Sequence, residues 1–94
     1  MLKEPLDPDR ARRLIGAILE KGSVSFSSHS EGALADDDLS TVDAVNVLRG
    51  GKVEPPEFER GTWRYRVRTQ RIVVVGVFRS ESEFVVVTAW RNKR

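Results

Sequence analysis

The sequence predicts an α+β domain in which N-terminal helices pack on a mainly antiparallel, twisted sheet. Apolar residues recur at helical spacing in the first half of the chain, and apolar or alternating segments joined by short connections fill its last third. A length of 94 residues suits one hydrophobic core and is too short for two. We therefore expect a single domain over residues 1–94.

The first predicted helix begins at Asp7-Pro8 and runs to about Lys21. The aspartate can accept hydrogen bonds from free backbone N–H groups, and proline suits the first helical position because it has no N–H. Gly22 supplies the C-terminal end. Five apolar residues at helical spacing should form its buried face: Ala11, Leu14, Ile15, Ile18 and Leu19. Three arginines should lie largely outside that face: Arg10, Arg12 and Arg13.

Two shorter helices should follow a short alternating strand at residues 23–27. Residues 28–31 read Ser-His-Ser-Glu, a capping-box pattern that predicts a second helix, weakened by Gly32. Ser40 offers the cap of a third helix over residues 41–49, which Gly50-Gly51 end. The buried stripe of that helix is expected to be Val42, Val45 and Leu48.

The last third predicts three antiparallel strands, because their connections are short. They cover residues 62–68, 71–78 and 83–91. The preceding segment, residues 52–58, is extended but contains Pro55-Pro56, so any strand there is short or lies at a sheet edge.

The first of these strands alternates sharply. Arg64, Arg66 and Arg68 occupy one face, while Trp63 and its two partners at i+2 and i+4 occupy the other. The three arginines span roughly 13 Å along a strand. Because guanidinium groups bind phosphate in a bidentate manner, the row fits a nucleic-acid backbone. The alternative is a solvated outer face.

The second strand is apolar on both faces over residues 72–78, which predicts cover on both sides or a central place in the sheet. A concave, partly covered groove beside the arginines is therefore expected. Gly76 either leaves room there for a ligand or marks a bulge.

Charge is distributed unevenly along the chain. Residues 1–59 contain 7 Lys/Arg against 12 Asp/Glu, a net of −5, whereas residues 60–94 contain 9 against 2, a net of +7. This asymmetry suggests a directed field that attracts phosphate, or else charges that serve only solubility.

His29 is the only histidine and therefore the candidate acid/base near neutral pH. Beside arginines it would suit attack by a ribose 2′-hydroxyl on the neighbouring phosphate. Thr88 and Trp90 share a predicted strand face with Phe84 and Val86; they could bind phosphate and stack on a base, or simply be core. A capping or surface role is the alternative for His29.

Several classes of site are excluded by what the sequence lacks. Cysteine is absent, which excludes disulfides, thiolate nucleophiles and cysteine-bound metals. There is no phosphate-binding glycine loop, dinucleotide fingerprint, nucleophile elbow or HExxH motif, and the three aspartates at 36–38 lack calcium-loop spacing. We expect no metal and no cofactor. No leader or apolar run of bilayer length is seen, so no membrane association and a cytoplasmic location are expected.

Three segments together resemble a known family. Residues 26–31 read Phe-Ser-Ser-His-Ser-Glu, residues 39–51 contain Leu-Ser-Thr-Val-Asp-Ala-Val and Leu-Arg-Gly-Gly, and residues 85–91 read Val-Val-Val-Thr-Ala-Trp-Arg. With the arginine-bearing and valine-rich strands between them, they resemble a small bacterial domain of unknown function that is grouped with RelE-like and barnase-like endoribonuclease toxins. The resemblance covers roughly residues 8–91.

The resemblance implies a helix-helix-sheet fold, metal-independent RNA cleavage or a relic of it, and a cognate antitoxin as partner. His29 matches the family's histidine at the front of the second helix, and Thr88 its polar position in the last strand. Either Arg64 or Arg66 matches the basic strand residue. Residues 32–34, Gly-Ala-Leu, depart from the longer hydrophobic residue that the family often has after the histidine.

Together these observations predict a toxin-like endoribonuclease acting on RNA, either free or as messenger RNA on the ribosome. The predicted catalytic residues are His29, Arg64, Arg66 and Thr88, and the predicted substrate-binding residues are Arg68, Arg79, Trp90 and Arg91. The alternatives are a non-catalytic RNA-binding or protein-binding module that uses the same basic face, and an adaptor whose valine-rich sheet pairs with another subunit.

Overall fold

The computed structural model of the protein describes residues 2–92, which form three helices and six strands. In chain order these are α1 Pro8–Lys21, β1 Ser23–Phe26, α2 Ser28–Asp36, α3 Thr41–Gly50, β2 Lys52–Val53, β3 Glu57–Glu59, β4 Thr62–Arg68, β5 Ile72–Ser80 and β6 Glu83–Arg91. The predicted α+β class with N-terminal helices is confirmed. No helix in this part of the chain combines the length and apolar character needed to cross a bilayer.

The sheet has the strand order β1-β6-β5-β4-β2, and β3 pairs with the first half of β4. The three long strands β4, β5 and β6 are antiparallel neighbours, as their short connections predict. The segment with Pro55-Pro56 forms only the short strands β2 and β3, at the edge beside β4. At the other edge β1 runs parallel to β6, with Ser23 opposite Glu83 and Phe26 opposite Val86.

One face of the sheet is covered by helices. The buried residues of α1 and α3 form a hydrophobic cluster with side chains from β4, β5 and β6, including Tyr65, Val74 and Phe84. We call this the helix face. Helix α2 lies beside β6 and adds Leu34 to the same cluster. Trp63 is half-buried and packs against the cluster.

The opposite side of the sheet, which we call the open face, has no helix packed on it among residues 2–92. Strand register assigns to it Arg64, Arg66, Arg68, Val73, Val75, Val77, Val85, Thr88 and Trp90. Its central valines are nevertheless buried: Val73, Val75 and Val85 are at most 8% exposed. Side chains of the open face itself must therefore cover them.

The predicted buried stripe of α3 is partly wrong. Val42 is 66% exposed, and the buried residues are Ala44, Val47 and Leu48. Val42 precedes Ala44 by two positions, which places it nearly on the other side of the helix.

The start of α2 differs from the predicted capping box by one residue. Ser27 is the N-cap, and its hydroxyl oxygen accepts from the backbone N–H of Ser30 at 3.1 Å. Ser30 is fully buried, and its hydroxyl donates to the Ser27 carbonyl at 2.7 Å. The Ser28–Glu31 capping box is therefore not formed, because β1 ends at Phe26 and the helix follows at once.

Arg12 does not lie outside the buried face as expected. Its guanidinium donates to the carbonyl oxygens of Leu48 and Gly51 at the end of α3. The last carbonyls of a helix lack partners within it, so an arginine from the neighbouring helix can satisfy them. Burial lowers the pKa of the Arg12 guanidinium.

Candidate functional site

A β-bulge decides which residues accompany the arginines on the open face. Gly76 pairs with Val86, but the preceding Val75 pairs with Thr88, so Val87 is the extra residue. The bulge reverses the alternation of β6. Phe84 and Val86 lie on the helix face while Thr88 and Trp90 lie on the open face, so the prediction that all four share one face is wrong.

Register then brings Arg66, Thr88 and Trp90 together. Arg66 lies opposite Val75, which lies opposite Thr88, and the next row on this face contains Arg68, Val73 and Trp90. Neighbouring strands are ~4.8 Å apart, and only β5 lies between β4 and β6, so the backbones of Arg66 and Thr88 are roughly 10 Å apart. An extended guanidinium arm can cross that distance.

The Arg66 side chain does cross β5. Its guanidinium carbon lies 5.5 Å from the centre of the Trp90 ring, a cation–π geometry. The arm thus passes over the buried Val73 and Val75. The contact between this arginine and the indole therefore lies over the valine-rich centre of the open face.

Each arginine of β4 faces a glutamate from the adjacent edge segment. The distances are 3.2 Å from Arg68 to Glu54, 3.9 Å from Arg66 to Glu57 and 3.5 Å from Arg64 to Glu59. We call Arg64, Arg66 and Arg68 the arginine row, and Glu54, Glu57 and Glu59 the glutamate row. The acidic first half of the chain therefore places three carboxylates against the basic second half.

The three arginines differ in how firmly they are held. The Arg68 guanidinium donates a hydrogen bond to Glu54 at 3.2 Å. Arg64 has a side chain only 26% exposed, and its Nε is buried without a hydrogen-bond acceptor. Arg66 has the longest ion pair, at 3.9 Å, and a side chain 43% exposed. Arg68 has the same exposed fraction, so it is the longer ion pair, and not greater exposure, that makes Arg66 the guanidinium held least firmly by its glutamate.

His29 lies in the first turn of α2 and is exposed. The helix starts beside β6, because the Ser27 N–H donates to the Val86 carbonyl at 3.0 Å and the Ser27 hydroxyl to the Val87 carbonyl at 3.4 Å. His29 thus belongs to the element next to Thr88, while Arg66 lies two strands further across the sheet. Among residues 2–92 the His29 ring has no hydrogen-bond or ion-pair partner.

Two predicted substrate-binding arginines lie away from this cluster. Arg79 is at the far end of β5, four residues or roughly 13 Å from Val75, and faces Glu83 at 3.8 Å. The Arg91 guanidinium donates to the carbonyl oxygens of Asp37 and Asp38 at the end of α2. Arg91 therefore stabilises a helix terminus.

Gly76 does not leave room for a ligand. It lies on the helix face, where an added Cβ would be 2.3 Å from an atom of the Phe84 ring. The register shift between Val75 and Gly76 identifies the alternative prediction, a bulge, as the correct one. The glycine is required because an aromatic ring occupies the space of its missing side chain.

The glutamate row was the feature that sequence reasoning missed. Glu57 and Glu59 alternate as the arginines do, which was a usable signal, but the prolines before them obscured the pairing of this segment. Within the described residues no three His, Asp or Glu side chains gather as metal ligands. Comparison of the chain with protein families, with curated proteins and with solved structures finds no match.

Proposed function

We propose that the open face binds single-stranded RNA and that the protein is a toxin-like endoribonuclease that cleaves it without a metal ion. The observation that carries this proposal is the cluster of Arg66, Thr88 and Trp90 on a sheet face without helices. A guanidinium suits the phosphate, a hydroxyl can donate to a phosphate oxygen, and an indole can stack on a base. The cluster thus matches the parts of one nucleotide.

His29 is the proposed acid/base. Its imidazole would take the proton of a ribose 2′-hydroxyl, whose oxygen attacks the adjacent phosphorus as the bond to the 5′-oxygen breaks. The departing 5′-oxygen takes a proton from water, which leaves a 2′,3′-cyclic phosphate and a 5′-hydroxyl. Arg66 and Thr88 would stabilise the charge that develops on the phosphoryl oxygens. What supports this role for His29 is the start of its helix beside Val87, next to Thr88.

The test is to incubate purified protein with single-stranded RNA, and with messenger RNA in the presence and absence of ribosomes. His29→Ala should lower the cleavage rate by about 10²–10⁴-fold, the usual contribution of an acid/base, while RNA binding is retained. Arg66→Ala should weaken both binding and cleavage. Arg71→Ala is the matched control, because Arg71 is exposed and lies outside the cluster. Identical products from the wild type and His29→Ala would eliminate the acid/base role.

A non-catalytic RNA-binding or protein-binding module is the second candidate. Two observations favour it: every guanidinium of the arginine row has a carboxylate partner, and the His29 ring has none among residues 2–92. Binding that weakens steeply with salt and leaves the RNA intact would support this module. Loss of growth on expression, reversed by a protein co-expressed from a neighbouring gene, would support the toxin and identify its antitoxin.

A further inference from the structure

The glutamate row follows the arginine row in register. Glu57 lies directly opposite Arg64 in the β3–β4 ladder, and the Glu54 N–H donates to the Arg66 carbonyl at 2.9 Å. Backbone pairing therefore fixes the two rows side by side on the open face. Each ion pair is diagonal, because every glutamate reaches the arginine two positions beyond its backbone partner on β4.

These carboxylates resemble phosphates in what they offer an arginine. A carboxylate and an RNA phosphodiester each carry one negative charge and present two oxygens to the guanidinium fork. Glu57 and Glu59 have side chains 75% and 63% exposed. Exposed ion pairs contribute little to stability, so an incoming anion can replace these carboxylates without disturbing the fold.

The Trp90 ring is the contact in this region that the glutamates do not occupy. It lies on β6, two strands from β4, and its neighbour is the Arg66 guanidinium. An anion that offers only charge must compete with the glutamate row, whereas an anion with unpaired bases can gain stacking on the indole as well.

We propose that Glu54, Glu57 and Glu59 are internal competitors for phosphate. They hold the arginine row when no ligand is bound, lower the affinity of the open face for polyanions in general, and so favour RNA with unpaired bases. This inference rests on the proposed RNA-binding role of the open face. It adds a determinant of selectivity that lies outside the catalytic cluster.

The experiment compares two triple variants that change the net charge equally. One removes the row with Glu54→Gln, Glu57→Gln and Glu59→Gln. The control removes three exposed carboxylates that belong to α1 and α2, with Asp9→Asn, Glu20→Gln and Asp36→Asn. Binding of inorganic polyphosphate and of a fluorescent single-stranded oligouridylate is measured over a range of salt concentrations, after circular dichroism has checked that each variant is folded.

The row variant should bind polyphosphate about tenfold more tightly than the wild type, since an ion pair at a protein surface accounts for roughly a 1.4- to 5-fold effect. The slope of log affinity against log salt should become steeper than in the wild type and approach about −2, the value for three phosphate contacts to a single strand. The control should change affinity less than about threefold. Adding Arg66→Ala to the row variant should remove much of the gain, which would locate the effect.

Equal polyphosphate affinities for the row variant and the control would overturn the inference. Glu57→Gln alone, at the most exposed of the three positions, provides a second measurement if the triple variant does not fold, with an expected gain of about twofold or more. Polyphosphate cannot be cleaved by transfer to a ribose hydroxyl, so this result is independent of nuclease activity. Absence of RNA cleavage by the wild type would refute the proposed catalysis and leave the competition intact.

Discussion

At the scale of single residues, Gly76 combines two roles that a side chain would prevent. It stands at the bulge that turns Thr88 and Trp90 to the open face, and it receives the Phe84 ring on the helix face. The same position therefore shapes both sides of the sheet. A substitution there should affect the core first.

Gly76→Ala should lower the free energy of unfolding by about 1–3 kcal/mol, because the added methyl group overlaps the Phe84 ring and forces it to move. Urea unfolding followed by circular dichroism measures this. Gly16→Ala is the control, because a Cβ at Gly16 in α1 meets nothing within 4 Å. That substitution should stabilise the protein by about 0.5–1 kcal/mol, as alanine is the better helix former. Equal stability of Gly76→Ala and the wild type would show that the ring is not fixed.

Tyr65 is the second residue with a specific environment. It is fully buried, and its hydroxyl oxygen accepts from the Leu6 N–H at 2.9 Å. Burial, reinforced by the nearby Glu4 carboxylate, raises the pKa of Tyr65 to about 12, although the hydrogen bond from Leu6 acts in the opposite direction. The phenol is thereby kept neutral in the folded protein.

The single tyrosine of the chain allows this pKa to be measured directly. Tyrosinate absorbance should titrate near pH 12 in the folded protein and near pH 10 in urea. Because the unfolded chain loses its proton first, the contribution of Tyr65 to stability should be complete below pH 10 and decline as the pH rises to about 12. In Tyr65→Phe this particular decline should be missing. A folded-state titration near pH 10 would contradict the burial of the phenol.

At the scale of elements, α1 and α3 are joined by one half-buried arginine, Arg12. Arg12→Met keeps much of the apolar side chain but leaves the Leu48 and Gly51 carbonyls without their donor. The expected loss is about 1–3 kcal/mol of unfolding free energy, the cost of unsatisfied buried acceptors. Arg13→Met, at the exposed neighbouring position, should change stability by less than about 0.5 kcal/mol. Thermal and urea unfolding of both variants decide the matter; similar losses would exclude the bridging role of Arg12.

Most of the elements could be predicted from local signals. Asp7, Ser40 and the glycines set the ends of α1 and α3, and alternation identified β4. The errors came from tertiary structure. Val42 is apolar but lies away from the core, and the parallel pairing of β1 with β6 leaves no mark in either strand's own sequence.

The part of the candidate site that lies within one strand was predictable from the sequence, but the part that depends on pairing between strands was not. Alternation placed the arginines together, but only the bulge after Val86 brings Thr88 and Trp90 to their side of the sheet. Periodicity assumes an unbroken strand, so a single extra residue reverses its result. To predict the glutamate partners of the arginines one needs the register between β3 and β4, and Pro55-Pro56 before β3 obscured that pairing in the sequence.

At the scale of the whole molecule, carboxylates from the acidic first half of the chain form ion pairs with arginines of the basic second half. The net charge is only +2, and the three ion pairs between the rows lie on the surface proposed to bind RNA. The salt dependence of RNA binding should therefore be modest. At most three phosphate contacts from the arginine row limit the slope of log affinity against log salt to about −2.

Between 50 and 200 mM salt, that slope corresponds to a loss of affinity of roughly 20-fold. Fluorescence anisotropy with a single-stranded oligonucleotide measures it. Arg66→Ala should reduce the magnitude of the slope by about 0.7, the value for one contact to a single strand. An unchanged slope in that variant would mean that Arg66 does not contact phosphate.

The parallel pairing of Ser23–Phe26 with Glu83–Val86 also constrains biosynthesis. β1 is the first strand to be synthesised, but it cannot pair until β6 has been made, so this sheet edge closes only after β4 and β5 are complete. Truncated products without β6 lack the strand on which α2 rests. A chain that stops before β6 therefore lacks the surface that Arg66 spans.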